Sequence, residues 1–227
     1  MAKGMNDNNN GGKETAKSRE AAATDLFWKK PNRQQMTILR RAFDKWSVFE
    51  FFEQNKMAIL IKDLGGKKAV CISSSQVEPI VLSSAPYSAG MVIGELKKKK
   101  FSLNLQGAEL FARINRDQGK AFQFSHVVVS EDAEKLVLYG RDIFGSSIVR
   151  ATSGLNENQV VIILNARSEA IGIGRTRFSG DALQRNGVAV TTLIDAGHYL
   201  RGENQDLDDV AYKMQLRPPN EQRRSNS

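Results

Sequence analysis

The chain has 227 residues, a hydrophobic fraction of 41% and a formal net charge of +8, values that fit a soluble globular protein with one large or two small domains. Its single cysteine excludes an internal disulfide, and the lack of a long apolar run excludes a helix that crosses a bilayer. The polar first residues contain no apolar segment of a secretory signal, so the composition predicts a soluble intracellular protein with no membrane partner.

The positive charge is concentrated in the first half of the chain. Residues 1–122 contain 21 Lys or Arg against 12 Asp or Glu, whereas residues 123–227 contain 12 against 13. A polyanionic partner is therefore expected, and the second half can bind one only through a local basic patch.

Both ends of the sequence are predicted to be flexible tails. Residues 1–24 are rich in Asn, Gly, Lys and Glu, and residues 203–227 are first acidic and then polar. Neither segment has enough large apolar side chains to offset the entropy cost of ordering.

An amphipathic helix is predicted after Pro31, with Asn32 as its N-cap. Its apolar residues recur every three or four positions and form one stripe that faces the core: Met36, Leu39, Phe43, Trp46 and Phe49.

A hairpin and a short helix are predicted next. Residues 57–61 and 69–72 are apolar strands on either side of an Asp-Leu-Gly-Gly turn. Ser75 and Glu78 have the spacing of a capping box, which predicts the start of the helix. The single cysteine, Cys71, lies in the second strand and is interpreted as a small buried hydrophobic residue.

A strand over residues 91–96 and an alternating segment over residues 101–105 are predicted to precede a helix at 108–114. Four consecutive lysines lie between the two strands: Lys97, Lys98, Lys99 and Lys100. Lysines at such a place are often solvated and discourage edge pairing, but four ammonium groups also attract phosphate. Both interpretations stay open.

The second half contains apolar strands separated by short turns. Residues 127–129 form a β-branched strand, after which Ser130 caps an acidic turn. The fully apolar run 160–164 is predicted to be a buried strand. In the following strand, Gly172 and Gly174 alternate with apolar residues, which allows another backbone, of protein or ligand, to come close.

Four segments of this half carry a resemblance to a known family: VVVSEDAEKLVLYGRDIFGSSIVRAT, VVIIL, EAIGIGRTRF and VAVTTLIDAGHYLR. Together they resemble a PUA domain, a small pseudobarrel that binds RNA. With the upstream segment GELKKKKFSLNL, the chain is similar to large-subunit ribosome biogenesis factors of the nuclear import protein seven family. The resemblance covers residues 31–201. It implies an α+β protein with an N-terminal α/β pre-PUA domain at 25–121 and a C-terminal PUA β-pseudobarrel at 122–202.

The resemblance also implies that basic residues around the glycine-arginine strand bind RNA. Arg175 and Arg177 lie two positions apart, so they face the same way in an extended chain. Arginine suits this role because its planar fork binds phosphate and stacks on exposed bases. The complete set of candidate RNA contacts is Arg175, Arg177, Arg185, Arg201, Arg150, Lys97, Lys98, Lys99 and Lys100. The alternative is that some of the arginines form ion pairs with Asp181 or Asp195.

Catalytic and cofactor sites are not predicted. Two histidines and one cysteine are too few for a multi-ligand zinc site of those residues, and Gly172 and Gly174 lack the third glycine of a dinucleotide fingerprint. The sequence also offers no nucleophilic aspartate motif of an RNA-modifying domain. The expected protein is not an enzyme and has neither metal nor cofactor.

The favoured interpretation is a monomeric RNA-binding assembly factor for the large ribosomal subunit. The resemblance implies binding to precursor rRNA, in single-stranded uridine-rich segments, and docking of other assembly proteins on the N-terminal domain. It implies a cytoplasmic protein in an archaeon, or a nuclear and nucleolar one in a eukaryote. The alternatives are an RNA-modifying enzyme or its targeting subunit, and an adaptor whose basic surface binds acidic proteins.

Overall fold

The computed structural model describes residues 27–119, 122–184 and 187–198. The predicted tails and the candidates Arg185 and Arg201 lie outside these residues. The elements of the first half are α1 (Arg33–Lys45), α2 (Phe49–Gln54), β1 (Met57–Asp63), β2 (Lys68–Ser74), α3 (Glu78–Ser84), β3 (Met91–Lys97), β4 (Lys100–Leu103) and α4 (Leu105–Asp117). The second half contains β5 (His126–Val129), α5 (Glu131–Leu138), β6 (Ile143–Phe144), β7 (Ile148–Ala151), β8 (Val160–Leu164), β9 (Ala170–Thr176) and β10 (Val188–Asp195), with 3-10 turns at Gly145–Ser147 and Gly180–Gln184.

The first half is a four-stranded antiparallel sheet in the order β1-β2-β3-β4, covered on one face by helices. The start of α1 is confirmed at Asn32, whose side chain accepts a hydrogen bond from the Gln35 amide while the Gln35 side chain accepts one from the Asn32 amide. The ring of Phe43 lies at the centre of the aromatic core, with edge-on partners at centroid distances of 5.4 to 6.0 Å in Phe52, Phe101 and Phe111. Leu39, Phe43 and Trp46 of the predicted stripe are confirmed as core residues, and Phe49 packs against the same core, whereas Met36 is only partly buried and outside it. The helix itself ends at Lys45, with Trp46 as its C-cap, and Phe49 begins α2.

The opposite face of this sheet is covered by α3 and by the segment around Trp28. Trp28, Leu60, Cys71 and Val81 belong to the small apolar cluster on this face. Cys71 is completely buried, which confirms that it is a small buried hydrophobic residue. The same burial raises the pKa of its thiol to about 12, which disfavours the reactive thiolate.

The second half is a six-stranded sheet in the order β6-β10-β9-β8-β5-β7. Its two outermost strands, β6 and β7, are joined only by the turn Gly145–Ser147, so the sheet curls into a nearly closed barrel. Apolar side chains fill the interior, among them Val127, Val161, Ile163 and Val190, and α5 contributes Val137. This is the expected pseudobarrel.

Three barrel strands are buried on both faces. Val127 of β5 and Ile163 of β8 point into the barrel, whereas their neighbours Val128 and Ile162 point outward and belong to the core shared with the first half. Ile173 of β9 joins that shared core. The continuous apolar runs at 127–129 and 160–164 follow from this double burial, because a strand covered on one side only would alternate with polar residues.

Helix α4 packs between the two sheets. It contacts β3 on one side and β9 on the other. The approach to β3 is so close that a Cβ on Gly107 would overlap the carbonyl oxygen of Ile93 and would lie 2.7 Å from Leu103 Cδ1. Glycine at this position therefore sets the distance between helix and sheet.

Two details of the sequence interpretation are wrong. The helix at Glu78–Ser84 has Val77 as its N-cap without a side-chain hydrogen bond, so Ser75 and Glu78 do not form a capping box. The strand predicted at 101–105 ends at Leu103, because the Asn104 side chain accepts a hydrogen bond from the Gly107 amide and starts α4.

The close-approach glycines serve the barrel itself. A Cβ on Gly172 would lie 2.8 Å from the carbonyl oxygen of Ile194, and one on Gly174 would lie 2.5 Å from Val190 Cγ1. The segment that lies close to these glycines is therefore strand β10 of the barrel itself, so their lack of a side chain does not indicate a ligand site.

We expect Gly107→Ala to destabilise the fold, although alanine normally stabilises a helix by about 0.5–1 kcal/mol over glycine. The added methyl group must displace the backbone of β3, and overpacking of this kind costs about 1–3 kcal/mol. For a chain of this size the melting temperature falls by roughly 2–4 °C for each kcal/mol. Thermal unfolding followed by circular dichroism measures the change.

Gln106→Ala is the matched control, because Gln106 is exposed in the same helical turn. It should change the melting temperature by a degree or two at most, since surface substitutions usually stay within about 0.5 kcal/mol. Stabilisation by Gly107→Ala would contradict the close contact between α4 and β3.

Candidate nucleic-acid interface

Arg175 and Arg177 lie on the outer face of the barrel, as their spacing predicts. Both are exposed, and Thr176 between them is buried. Arg175 is flanked on β8 by Val160 and on β10 by Thr191. We call the surface formed by Arg175, Arg177, Thr191 and Asp142 the arginine face.

Arg177 is held in place by two hydrogen bonds. Its Nε donates to Thr191 Oγ1 at 2.8 Å, and its terminal nitrogen donates to Asp142 Oδ2 at 3.0 Å. The other oxygen of Asp142 accepts a hydrogen bond from the Thr192 amide at 3.0 Å. Asp142, directly before β6, therefore joins Arg177, directly after β9, to Thr192 of β10 and orients the guanidinium group.

Arg177 forms an ion pair with Asp142, a carboxylate that the sequence alternative, Asp181 or Asp195, did not include. The ion pair is partly exposed, at 48% for Arg177 and 34% for Asp142. Pairs of this type contribute only about 0–1 kcal/mol, so the exchange of the carboxylate for a phosphate carries a small cost.

The guanidinium group of Arg175 is exposed to solvent. It forms no ion pair with any residue in the described ranges, and it lies where the outer surface of β9 emerges from the shared core after Ile173. The guanidinium group of Arg175 on β9 and that of Arg177 directly after the strand are both exposed. Two such groups can bind successive phosphates, or one phosphate and one base.

Arg150 lies apart from the arginine face. It is on β7, three strands from β9 along the sheet, where it pairs with Val128. Its charge acts on His126 of the neighbouring strand. Burial lowers the pKa of His126 below its ordinary 6.5, the hydrogen bond with the Phe124 carbonyl opposes this, and Arg150 lowers the pKa further by charge repulsion.

The four lysines form the turn of the hairpin between β3 and β4. Lys97 pairs with Lys100, and Lys98 and Lys99 make a two-residue loop in which Lys98 has φ of +52°. All four are exposed, and none forms an ion pair with a residue that the structure describes. The turn was missed from the sequence because loops of this kind usually carry Asn or Gly at positive φ.

Two more features of the barrel surface were missed. Asp142 lies 35 residues before Arg177, and no local pattern marks the pair. Phe144 and Phe178 are exposed by 52% and 44% beside it. An exposed aromatic residue in a short strand has no distinct sequence signature, because strands favour aromatic residues in any case.

Two clefts of the described surface lie away from the arginine face. One cleft of about 370 Å³ is lined by α2 residues and Gln118, and another of about 210 Å³ lies between α4 and the start of β9. Within the described ranges no group of three or more His, Cys, Asp or Glu residues could hold a metal ion, and no helix is long and apolar enough to span a membrane. Neither cleft is lined by a residue of the arginine face.

Comparison with known proteins separates the same two halves. Residues 28–105 match the NIP7/UPF0113 pre-PUA domain, and residues 125–204 match the UPF0113 PUA domain. A UPF0113 protein of Archaeoglobus fulgidus is 34% identical over 185 residues, which covers 80% of this chain and 99% of the relative. A UPF0113 protein of Aeropyrum pernix is 30% identical over 115 residues, or 51% of this chain and 58% of the relative.

The fold is also similar to a solved structure. A hypothetical protein from the hyperthermophilic archaeon Pyrococcus horikoshii OT3 aligns with a TM-score of 0.54 at 15% identity, over 77% of this chain and 97% of that one. At this identity the likeness concerns the fold alone.

We expect Arg150→Gln to raise the pKa of His126, because it removes the nearby positive charge, while burial keeps the pKa below 6.5. NMR titration of the two histidine ring signals measures the shift, and His198 is the internal control. Because the folded pKa lies below the unfolded one, His126 contributes stability above about pH 6.5 that is lost as the pH falls through the folded pKa.

The same reasoning predicts a lower melting temperature for the wild type at pH 5 than at pH 7.5, with a smaller difference in His126→Gln. An unchanged His126 pKa in Arg150→Gln would show that Arg150 does not point toward the ring.

Proposed function

Because the chain belongs to the NIP7/UPF0113 family of proteins with a pre-PUA and a PUA domain, we propose that it binds RNA through the arginine face of its barrel. The observation that carries the proposal is the exposed pair of Arg175 on β9 and Arg177 directly after it, the first without an ion-pair partner among the described residues and the second oriented by Asp142. Both guanidinium groups can bind phosphate with little loss of folding stability.

Affinity at this face comes mainly from contacts with phosphate. An arginine fork donates two parallel hydrogen bonds to a phosphate group, and each contact releases condensed counterions, so binding weakens as salt rises. The barrel half has a balance of −1 over residues 123–227, so the local pair, and not the overall field, has to attract the RNA.

The lysine turn acts as a second, less selective contact. Its four ammonium groups are exposed at the tip of a hairpin, in the half of the chain that carries a balance of +9. Ammonium groups bind phosphate as point charges and provide attraction without reading bases. Arg150 adds positive charge to a different part of the barrel surface.

The RNA that we propose is precursor rRNA of the large ribosomal subunit, bound in single-stranded, uridine-rich segments by a monomeric assembly factor. Support comes from the family membership and from the exposure of Arg175 and Arg177. The pre-PUA half docks other assembly proteins in this proposal. Its outer surface exposes Ile80 by 63% and Tyr87 by 57%, and exposed apolar side chains of this size are typical of protein contacts.

The proposed role is binding without turnover. Unmodified RNA incubated with the protein should therefore yield unmodified nucleosides in mass spectrometry. Modified nucleosides would instead identify an RNA-modifying enzyme or a subunit of one.

We expect Arg175→Ala/Arg177→Ala to weaken binding of a fluorescently labelled, uridine-rich single-stranded RNA by about tenfold or more, equivalent to about 1.4 kcal/mol. The dependence of log K on log salt should also become shallower by about 0.7 for each lost phosphate contact. Fluorescence anisotropy at several salt concentrations measures both quantities.

Arg33→Ala/Arg41→Ala is the matched control, because it removes the same charge from exposed positions on α1. Equal weakening by both pairs would mean that only net charge matters. If replacement of the four turn lysines alone abolished binding, the RNA site would belong to the pre-PUA half. No binding by the wild type would favour a protein adaptor.

A further inference from the structure

Phe144 and Phe178 are large apolar side chains that the fold leaves half exposed. They are accessible by 52% and 44%, and neither ring contacts another aromatic ring among the described residues. Neither belongs to the barrel core, which takes Ile143 from β6 and leaves the next residue outside. The stability of the barrel therefore does not account for two phenylalanines here.

The two rings are attached to the two segments that the Arg177–Asp142 bridge joins. Asp142 lies two residues before Phe144, and Arg177 immediately precedes Phe178. Phe144 pairs with Val188 on β10, and the Arg177 amide donates to the Ala189 carbonyl at 2.8 Å on the other side of the same strand. With strands about 4.8 Å apart, the two phenylalanine backbones flank β10 at a separation of about 10 Å.

We propose that Phe144 and Phe178 are stacking platforms for unpaired bases of an RNA whose backbone is held at the arginine face. This inference rests on the proposed function and adds to it the groups that contact the bases. Exposed aromatic rings stack on the π-face of any base, and arginine beside them neutralises the phosphates that connect successive bases.

A protein partner is the less favoured occupant of this surface. Phe and Arg are also enriched at protein interfaces, so composition alone does not decide between the two occupants. RNA is favoured because the two phenylalanines neighbour the Arg177–Asp142 pair along the chain, and the exposed Arg175 and Arg177 complement phosphate. Basic residues combined with exposed aromatic rings are typical of surfaces that bind single-stranded nucleic acid.

Stacking at these rings requires bases that are not already stacked on each other. The bases of an RNA duplex are enclosed between their neighbours and do not expose their faces. Phe144 and Phe178 should therefore favour unpaired over paired RNA, with little preference among the four bases.

The test compares Phe144→Leu, Phe178→Leu and the double variant, since leucine keeps the apolar bulk and removes the aromatic face. Tyr139→Leu is the matched control, because Tyr139 is 70% exposed at the end of α5 and outside the arginine face. The probes are a labelled uridine 12-mer and a labelled RNA duplex of the same length, in fluorescence anisotropy at several salt concentrations.

We expect each leucine variant to bind the 12-mer about fivefold or more weakly than the wild type, as is typical for the loss of one stacked base. Binding to the duplex should stay unchanged, and so should the salt dependence with the 12-mer, because no phosphate contact is lost. Tyr139→Leu should bind both probes like the wild type. Melting temperatures that match the wild type exclude misfolding as the cause.

A second measurement needs no variant. A 12-mer that contains 5-iodouridine, irradiated in complex with the wild-type protein, should crosslink to Phe144 or Phe178, as mapped by mass spectrometry. Wild-type affinity of the double leucine variant for the 12-mer, or an equal loss for both probes, would overturn the inference. If the arginine pair proves essential while the leucine variants bind normally, the inference fails and the proposed function stands.

Discussion

The structure depends on the burial of three barrel strands on both faces. The inner face of β5, β8 and β9 lines the barrel, and the outer face packs against α4 and the aromatic core around Phe43. Each of these strands buries apolar area on both faces, and burial stabilises the fold by about 25 cal/mol for each Å² of apolar area. Because neither face is exposed to solvent, polar residues do not alternate with apolar ones along these strands. This double burial also joins the two halves, because the same side chains that cover the barrel complete the core of the first domain.

The candidate site arises where this double burial ends. Along β9, Ile173 is still covered by the first half, whereas Arg175 and Arg177 continue the same face into solvent. Strand β9 thus presents the guanidinium group of Arg175, the residue directly after its end presents that of Arg177, and Gly172 and Gly174 let the barrel wall close tightly behind them. The hydrogen bonds from Arg177 to Thr191 and Asp142 orient its side chain before binding, which lowers the entropy cost of binding.

Local patterns in the sequence correctly predicted most elements of the fold. The run 160–164, the cap at Asn32 and the alternation around Gly172 each have a physical cause within a few residues, and the structure agrees with them. The features that were missed at the candidate site depend on contacts between residues far apart in the sequence. Asp142 reaches Arg177 only because β6 and β9 flank β10, and Arg150 is separated from Arg175 by the strand order. A single sequence does not specify those neighbours.

The central proposal is that RNA contacts the guanidinium groups of Arg175 and Arg177. The most direct measurement is an NMR titration of the arginine Nε–Hε signals of ¹⁵N-labelled protein with a uridine-rich single-stranded RNA. The account predicts that the signals of Arg175 and Arg177 shift first and furthest, the latter because phosphate competes with its Asp142 contact. Shifts confined to arginines of the pre-PUA half, with these two signals unmoved at saturation, would contradict it.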